Sequence, residues 1–235
     1  MAYTFRSVKG SKLSVAEGDE NTRMARDGDR LQVPKASGNG LRIGPDTDLT
    51  FGWHDLPPVG GLQVYGEPGD ATRAIYRGGI KALQFTEGDS AYADFHIPHD
   101  YVLGSNIYIH AHWSHNVTNV TGGSTTWGFE LMYAKGHNQA AFSEPLIVTV
   151  AQNANIIQYQ HMVAEGLAST PGGSGVLLNT TDLEVDGLIQ CRVFLDSNDL
   201  TVSAGGVPEP FVHTVDIHYQ SSNVGTKQRA PNFYV

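Results

Sequence analysis

The sequence predicts an all-β fold: an antiparallel, jelly-roll-like β-sandwich behind an extended N-terminal arm that carries a short helix. Three observations predict it. From residue 61 onward, ten short runs of period-two or β-branched character recur between turn-forming clusters. No segment of that region carries a long helical period. Glycine reaches 27 of 235 residues while charged residues make up only 17%, a composition suited to many short strands joined by turns.

The elements follow in chain order. Ser14 and Glu17 form an S-x-x-E capping box, and Gly28 stands where a helix would end, so residues 15–26 are expected to be a short helix. Its Gly18 and its many polar residues give it no broad apolar face, so it needs a partner surface. Residues 27–60 are punctuated by Gly, Pro and Asp and read as an arm of short strands and turns, lying across a neighbouring subunit or else forming a loop-rich lid over the same chain's sandwich. The expected division is therefore 1–60 as a docking arm and 61–235 as the sandwich.

The sandwich strands are expected at Leu62–Tyr65, Arg73–Arg77, Ile80–Phe85, Ala91–Ile97, Ser105–His115, Thr126–Tyr133, Leu146–Ala151, Ile156–Ala164, Leu183–Leu195 and Phe211–Gln220. Turns are expected at 87–89, 121–124, 170–175, 197–199 and 204–210. In the last strand the apolar phase slips across Val212, Val215 and Ile217, which suggests a β-bulge or an offset of the strand limits.

The run IYIHAHWSH at 107–115 is the most informative segment. Period two places Tyr108, His110 and His112 on one strand face, and Ile107, Ile109, Ala111 and Trp113 on the other. Two imidazoles so spaced can ligate a metal, or they can form a hydrogen-bonded polar wall at a subunit contact. The spacing Gly104, His110-x-His112, Asn116, Gly123 resembles the first motif of the cupins, which are metal-binding jelly rolls. That resemblance implies a carboxylate where this sequence has Asn116, and the second cupin motif is not recognisable near Pro171 or Pro208. No metal or other cofactor is expected on balance, with His110 and His112 as the candidate ligands if one binds.

Other constellations have plain readings. His99 beside Asp100 and His54 beside Asp55 are possible oriented imidazoles, but no G-x-S-x-G turn or identifiable nucleophile accompanies them. Asp182, Glu184 and Asp186 read as one acidic strand face, able to take calcium but more simply solvated. The single cysteine, Cys191, lies in a strand and reads as a buried thiol. Trp53, Trp113, Trp127, Tyr101 and Tyr108 belong to the core, to an interface, or to a sugar-stacking platform.

The net charge of −9 argues against nucleic acid and against an anionic membrane surface. No run approaches the roughly 20 apolar residues of a membrane span, and the first residues lack the apolar core of a secretion signal. Folding in a cytoplasm is the resulting expectation.

The opening KGSKLSVAEGDENTRM, through Gly10, Ser11, Leu13, Ser14, Glu17, Asp19 and Asn21, resembles the N-terminal pieces of bacteriophage tail and fibre proteins. FGWHDL at 51–56 and IPHDYVLGSNIYIHAHWSHN at 97–116 resemble a β-rich virion family of tailed phages with an H-x-H-W strand. The resemblance implies a non-enzymatic virion structural protein of the tail, neck, fibre or decoration layer, folded in the host cytoplasm before assembly. It implies docking on other virion proteins through Leu13, Glu17, Asp19 and Asn21, and a homo-oligomer, by analogy a trimer. Trp53, Tyr108 and Trp113 are the expected interface or host-glycan contacts. Two rival functions are a carbohydrate-binding β-sandwich module and a cupin-like metalloenzyme.

Overall fold

A computed structural model describes residues 52–222, together with five short strands before them. These are β1 (Arg6–Ser7), β2 (Leu13–Ser14), β3 (Ala25–Asp27), β4 (Arg30–Val33) and β5 (Leu41–Ile43). The chain divides into two compact units, Met1–His54 with Ser221–Val235, and Asp55–Gln220. In the first, β1 pairs with β2, and β3, β4 and β5 form an antiparallel meander. The helix expected over 15–26 lies outside the described residues except at its ends. There Ala25 and Arg26 belong to β3, and the proposed cap Ser14 belongs to β2. Of the docking residues, Leu13 is in β2, while Glu17, Asp19 and Asn21 lie outside the described residues.

The second unit begins within β6 (Gly52–Leu56) and continues through β7 (Thr72–Arg77), β8 (Ile80–Gln84), β9 (Ser90–His96), β10 (Tyr108–Ser114) and β11 (Val120–Ala134). It is completed by β12 (Leu146–Asn153), β13 (Met162–Leu167), β14 (Ser169–Thr170), β15 (Leu178–Asn179), β16 (Leu188–Val202) and β17 (Phe211–Ser221). One sheet runs β13-β10-β17-β8-β7 and the other β12-β11-β16-β9. Along the chain from β8, every link between these strands changes sheet except the β11–β12 hairpin. That order is a jelly roll. The small β14–β15 pair is parallel. No helix among the described residues is long and apolar enough to cross a membrane.

Period-two alternation explains the core. Ile109, Ala111 and Trp113 of β10 face Trp127, Phe129 and Leu131 of β11 and Ile189, Cys191 and Val193 of β16 in one buried cluster. The Trp113 and Trp127 rings lie 6.1 Å apart, and Trp127 meets Phe85 edge-on at 5.4 Å. Each such side chain contributes about 1.5–3 kcal/mol by leaving water. Cys191 is buried, and burial pushes its thiol far above the ordinary range, so it is an inert core residue.

Several sequence expectations need correction. The unit boundary falls at 54/55 instead of 60/61. Residues beyond it join the β9 edge, where Val59 N donates to Asp94 O (2.8 Å) and Gln63 bridges Tyr92. Leu62–Tyr65 is that isolated bridge, not a full strand. Residues 156–161 are not a strand, and β13 runs Met162–Leu167. The turns expected at 121–124 and 197–199 are instead ladder: β11 and β16 pair straight through them, with register shifts at Gly122 and Thr126. The glycines mislead because they are required by the pairing and end no strand. Gly123 has φ +86°, and a Cβ there would stand 2.2 Å from Asp199 O. The bulge read in the last strand is present, since Trp113 pairs with Val212 and His112 with Thr214, leaving His213 as the extra residue.

Gly123→Ala is expected to destabilise the sandwich by about 2 kcal/mol or more beyond Gly88→Ala. Both positions have positive φ, but Gly88 faces open space. Urea denaturation of the two variants checks this, and equal midpoints would refute the steric account.

Candidate functional site

The outward face of β10 carries the side chains that its core face cannot. Because Ile109, Ala111 and Trp113 turn inward, Tyr108, His110 and His112 turn outward, as the alternation requires. Register then decides their neighbours. On one side His110 pairs with Asp216 and Tyr108 with His218 of β17; on the other His110 pairs with Glu165 of β13. The result is a face of histidines and carboxylates.

His110 is only 1% exposed despite pointing away from the core. Its ring lies 4.6 Å from that of His112 and 4.2 Å from that of His218. His112 stacks on His161 at 4.8 Å, with His112 Nδ1 2.5 Å from His161 Nε2. His218 is held from both sides, Nε2 by Asp55 Oδ1 at 2.7 Å and Nδ1 by Glu165 Oε2 at 2.6 Å. His110 Nε2 and His112 Nε2 approach one oxygen, Asp216 Oδ2, at 3.7 and 3.2 Å. The bulge residue His213 turns to Ser114, whose Oγ lies 2.8 Å from His213 Nε2 and 2.8 Å from Tyr76 OH.

Burial pushes the His110 imidazole below the ordinary histidine value, against the pull of Asp216. Burial, then the neighbouring imidazoles, does the same to His161 and His213. For Asp216, burial acts upward but is outweighed by His110, His112 and the Thr214 hydroxyl, so its carboxyl sits below the usual range. His110, His161 and His213 are therefore biased toward the neutral form, beside an ionised Asp216.

The other predicted residues are dispersed. Trp113 is wholly buried against Trp127, so it cannot be the interface or glycan contact expected of it; the same alternation that exposes the histidines buries it. Tyr101 and Trp127 are buried too. Tyr108 and Trp53 are half-buried. Asn116 does not complete a ligand set; its main-chain carbonyl accepts from Gln158 Nε2 (2.6 Å). Asp100 serves Tyr219 OH (3.2 Å), and His99 instead meets Asp186 (3.0 Å). Asp182, Glu184 and Asp186 lie in the turn-rich segment before β16, not on a strand face. They accept separately from Asn179 (3.0 Å), from Gln139, and from the group His96, His99 and His137.

A second concavity lies on the outer face of the β11 sheet. It is a cleft of about 320 Å³ lined by Gln63, Tyr65, Tyr92, Glu130, Gln190 and Arg192, among others. Tyr65 and Tyr92 sit 5.3 Å apart at a 44° tilt, and Tyr65 is 65% exposed. Arg192 Nε bonds Glu130 Oε2 at 2.6 Å, and Arg192 also lies over the Phe194 ring. The sequence reading passed over this pair. Tyr92 was legible as the outward residue between Ala91 and Ala93, whereas Tyr65 is placed by a non-strand segment that no period marks.

No protein-family model matches the chain, and no curated protein matches it. Among solved structures, the CBM22-1–GH10 modules of Clostridium thermocellum endo-1,4-β-D-xylanase 10B, complexed with xylohexaose, share 13% identity at TM-score 0.33. The match covers 72% of this chain and 26% of that one, so this chain spans about a quarter of its length. A CBM22 xylan-binding domain matches at 13% identity and TM-score 0.32, over 77% of this chain and 99% of its own. The xylan-binding module CBM15 matches at 7% and 0.32, over 73% and 98%. TM-scores near one third assign neither family nor ligand to this chain.

The depressed imidazoles set a pH dependence. The unfolded chain takes up protons near 6.5, before folded His110, His161 and His213 do. Stability is thus expected to be full above about pH 7 and to fall as pH drops through that value. Urea midpoints between pH 8 and pH 5.5 check this, with His213→Gln flattening the decline. A flat wild-type profile would refute it.

Proposed function

We propose that this chain is a non-enzymatic structural component of a tailed-phage particle, docking through its leading segment and presenting a jelly roll. The observation that carries the reading is the pair of sequence patterns, 9–24 and 97–116, resembling phage tail, fibre and virion proteins. Supporting it, the first pattern falls in the unit Met1–His54 with Ser221–Val235, and the second within Asp55–Gln220, so docking and presentation have separate homes in the chain. Copies are proposed to associate around a symmetry axis, as trimers by analogy with fibres. Mass spectrometry of purified particles should find the protein. Deleting residues 1–30 should leave a folded sandwich that fails to join particles, and normal incorporation of that truncation would reject the docking role.

A second reading, compatible with the first, is favoured by the cleft on the β11 sheet. Two neighbouring tyrosine rings beside Gln63, Gln190, Glu130 and Arg192 offer an apolar stacking surface rimmed by hydrogen-bonding groups. Glycans present matching apolar ring faces and hydroxyls. Under this reading the sandwich binds a host glycan there, and not through Trp113. On a glycan array the wild type should show hits that Tyr65→Ala weakens about tenfold, equal to about 1.4 kcal/mol. An array without hits, or hits insensitive to Tyr65→Ala, would remove the cleft as a glycan site.

A further inference from the structure

The outward face of β10 holds an arrangement that hydrogen bonding does not account for. His110 Nε2 stands 3.7 Å from Asp216 Oδ2, beyond hydrogen-bond length. His112 Nε2 stands 3.2 Å from the same oxygen but out of hydrogen-bonding alignment, and His110 Nδ1 has no aligned partner. His110 is 1% exposed, His112 19% and Asp216 14%. Buried imidazole nitrogens normally find a partner.

The same separations suit donors gathered around one ion. Zinc bound by nitrogen and oxygen at about 2.0–2.2 Å with tetrahedral angles places neighbouring donor atoms about 3.3–3.6 Å apart. The observed 3.2 and 3.7 Å bracket that interval. One donor atom from each of His110, His112 and Asp216 lies within 4.8 Å of the other two.

We propose that His110 Nε2, His112 Nε2 and Asp216 Oδ2 form a binding site for a divalent transition-metal ion. Two imidazoles and one carboxylate suit ions such as zinc or iron, whereas calcium and magnesium prefer all-oxygen sets. The donors need no chain rearrangement. His110 and Asp216 are cross-strand partners in the β10–β17 ladder, and His112 is the next outward residue. The surroundings orient them as outer-shell groups do. Thr214 Oγ1 donates to Asp216 Oδ1 at 3.0 Å, leaving Oδ2 to the ion. His161 Nε2, 2.5 Å from His112 Nδ1, fixes that ring through its far nitrogen. Three protein donors leave an open position for water or an external group. The overlapping trio Asp55, His110 and His218 is less suited, because Asp55 and Glu165 already engage both nitrogens of His218. The site differs from the cupin-like expectation in its third donor, which is Asp216 from β17 and not the residue at 116. It stands whether or not the chain belongs to a virion.

The test uses the full chain without an affinity tag, stripped with a chelator and titrated with zinc chloride by calorimetry. One zinc per chain is expected, with a raised thermal midpoint, and cobalt in its place should give visible d–d absorption. His112→Gln and Asp216→Asn should each weaken zinc at least tenfold, with circular dichroism reporting that each variant folds. His112→Gln, at the more exposed position, serves if Asp216→Asn does not fold. The combined variant His96→Ala, His99→Ala, His137→Ala removes the exposed imidazoles around Asp186 and should leave binding unchanged. Absence of stoichiometric zinc, binding unaffected by His112→Gln, or binding abolished by the control variant would each overturn the proposal.

Discussion

The two-sidedness of β10 is the constraint on which the rest depends. Its neighbours β13 and β17 hold it by ladders on both edges, so it can neither rotate nor slide. Trp113 is the largest side chain on its inner face, and its burial against Trp127 fixes the phase of the strand. A slip of one residue would drive His110 and His112 into the core and lift Trp113 out of it. The apolar packing of one face thus dictates the chemistry of the other. The close, partly desolvated histidines are a consequence of where the indole must go.

The jelly roll presents two outer faces with different chemistry. One, on the β10 sheet, is crowded with imidazoles and acids and admits little water around His110. The other, on the β11 sheet, is an open cleft with an aromatic pair and an Arg192–Glu130 ion pair. Each face uses residues from strands distant in sequence, brought together because all but one of the links between the β8–β17 sheet strands change sheet.

Much of the fold was legible in the sequence because period two is a local signal. The division of Tyr108, His110 and His112 from Ile109, Ala111 and Trp113 onto opposite faces follows from residues within a few positions of each other, whereas which face turns inward did not, since Trp113 was expected at an interface. Partners across the ladder were not legible. Nothing near His110 names Asp216, which lies more than a hundred residues away and is selected by register alone. Glycine and Asn/Asp clusters misled at 121–124 and 197–199, because a bulged ladder uses the same residues as a turn. Tyr65 escaped because it hangs from an edge segment joined by a single bridge at Gln63.

Cys191 has a consequence for durability. The only thiol of this chain is buried in β16, where it stays protonated. No cross-link holds the sandwich together, so a reducing interior does not weaken it. No thiol is exposed among the described residues, so an oxidising exterior has none to couple into a disulfide. The same folded sandwich can pass from one redox environment to the other without making or breaking a disulfide.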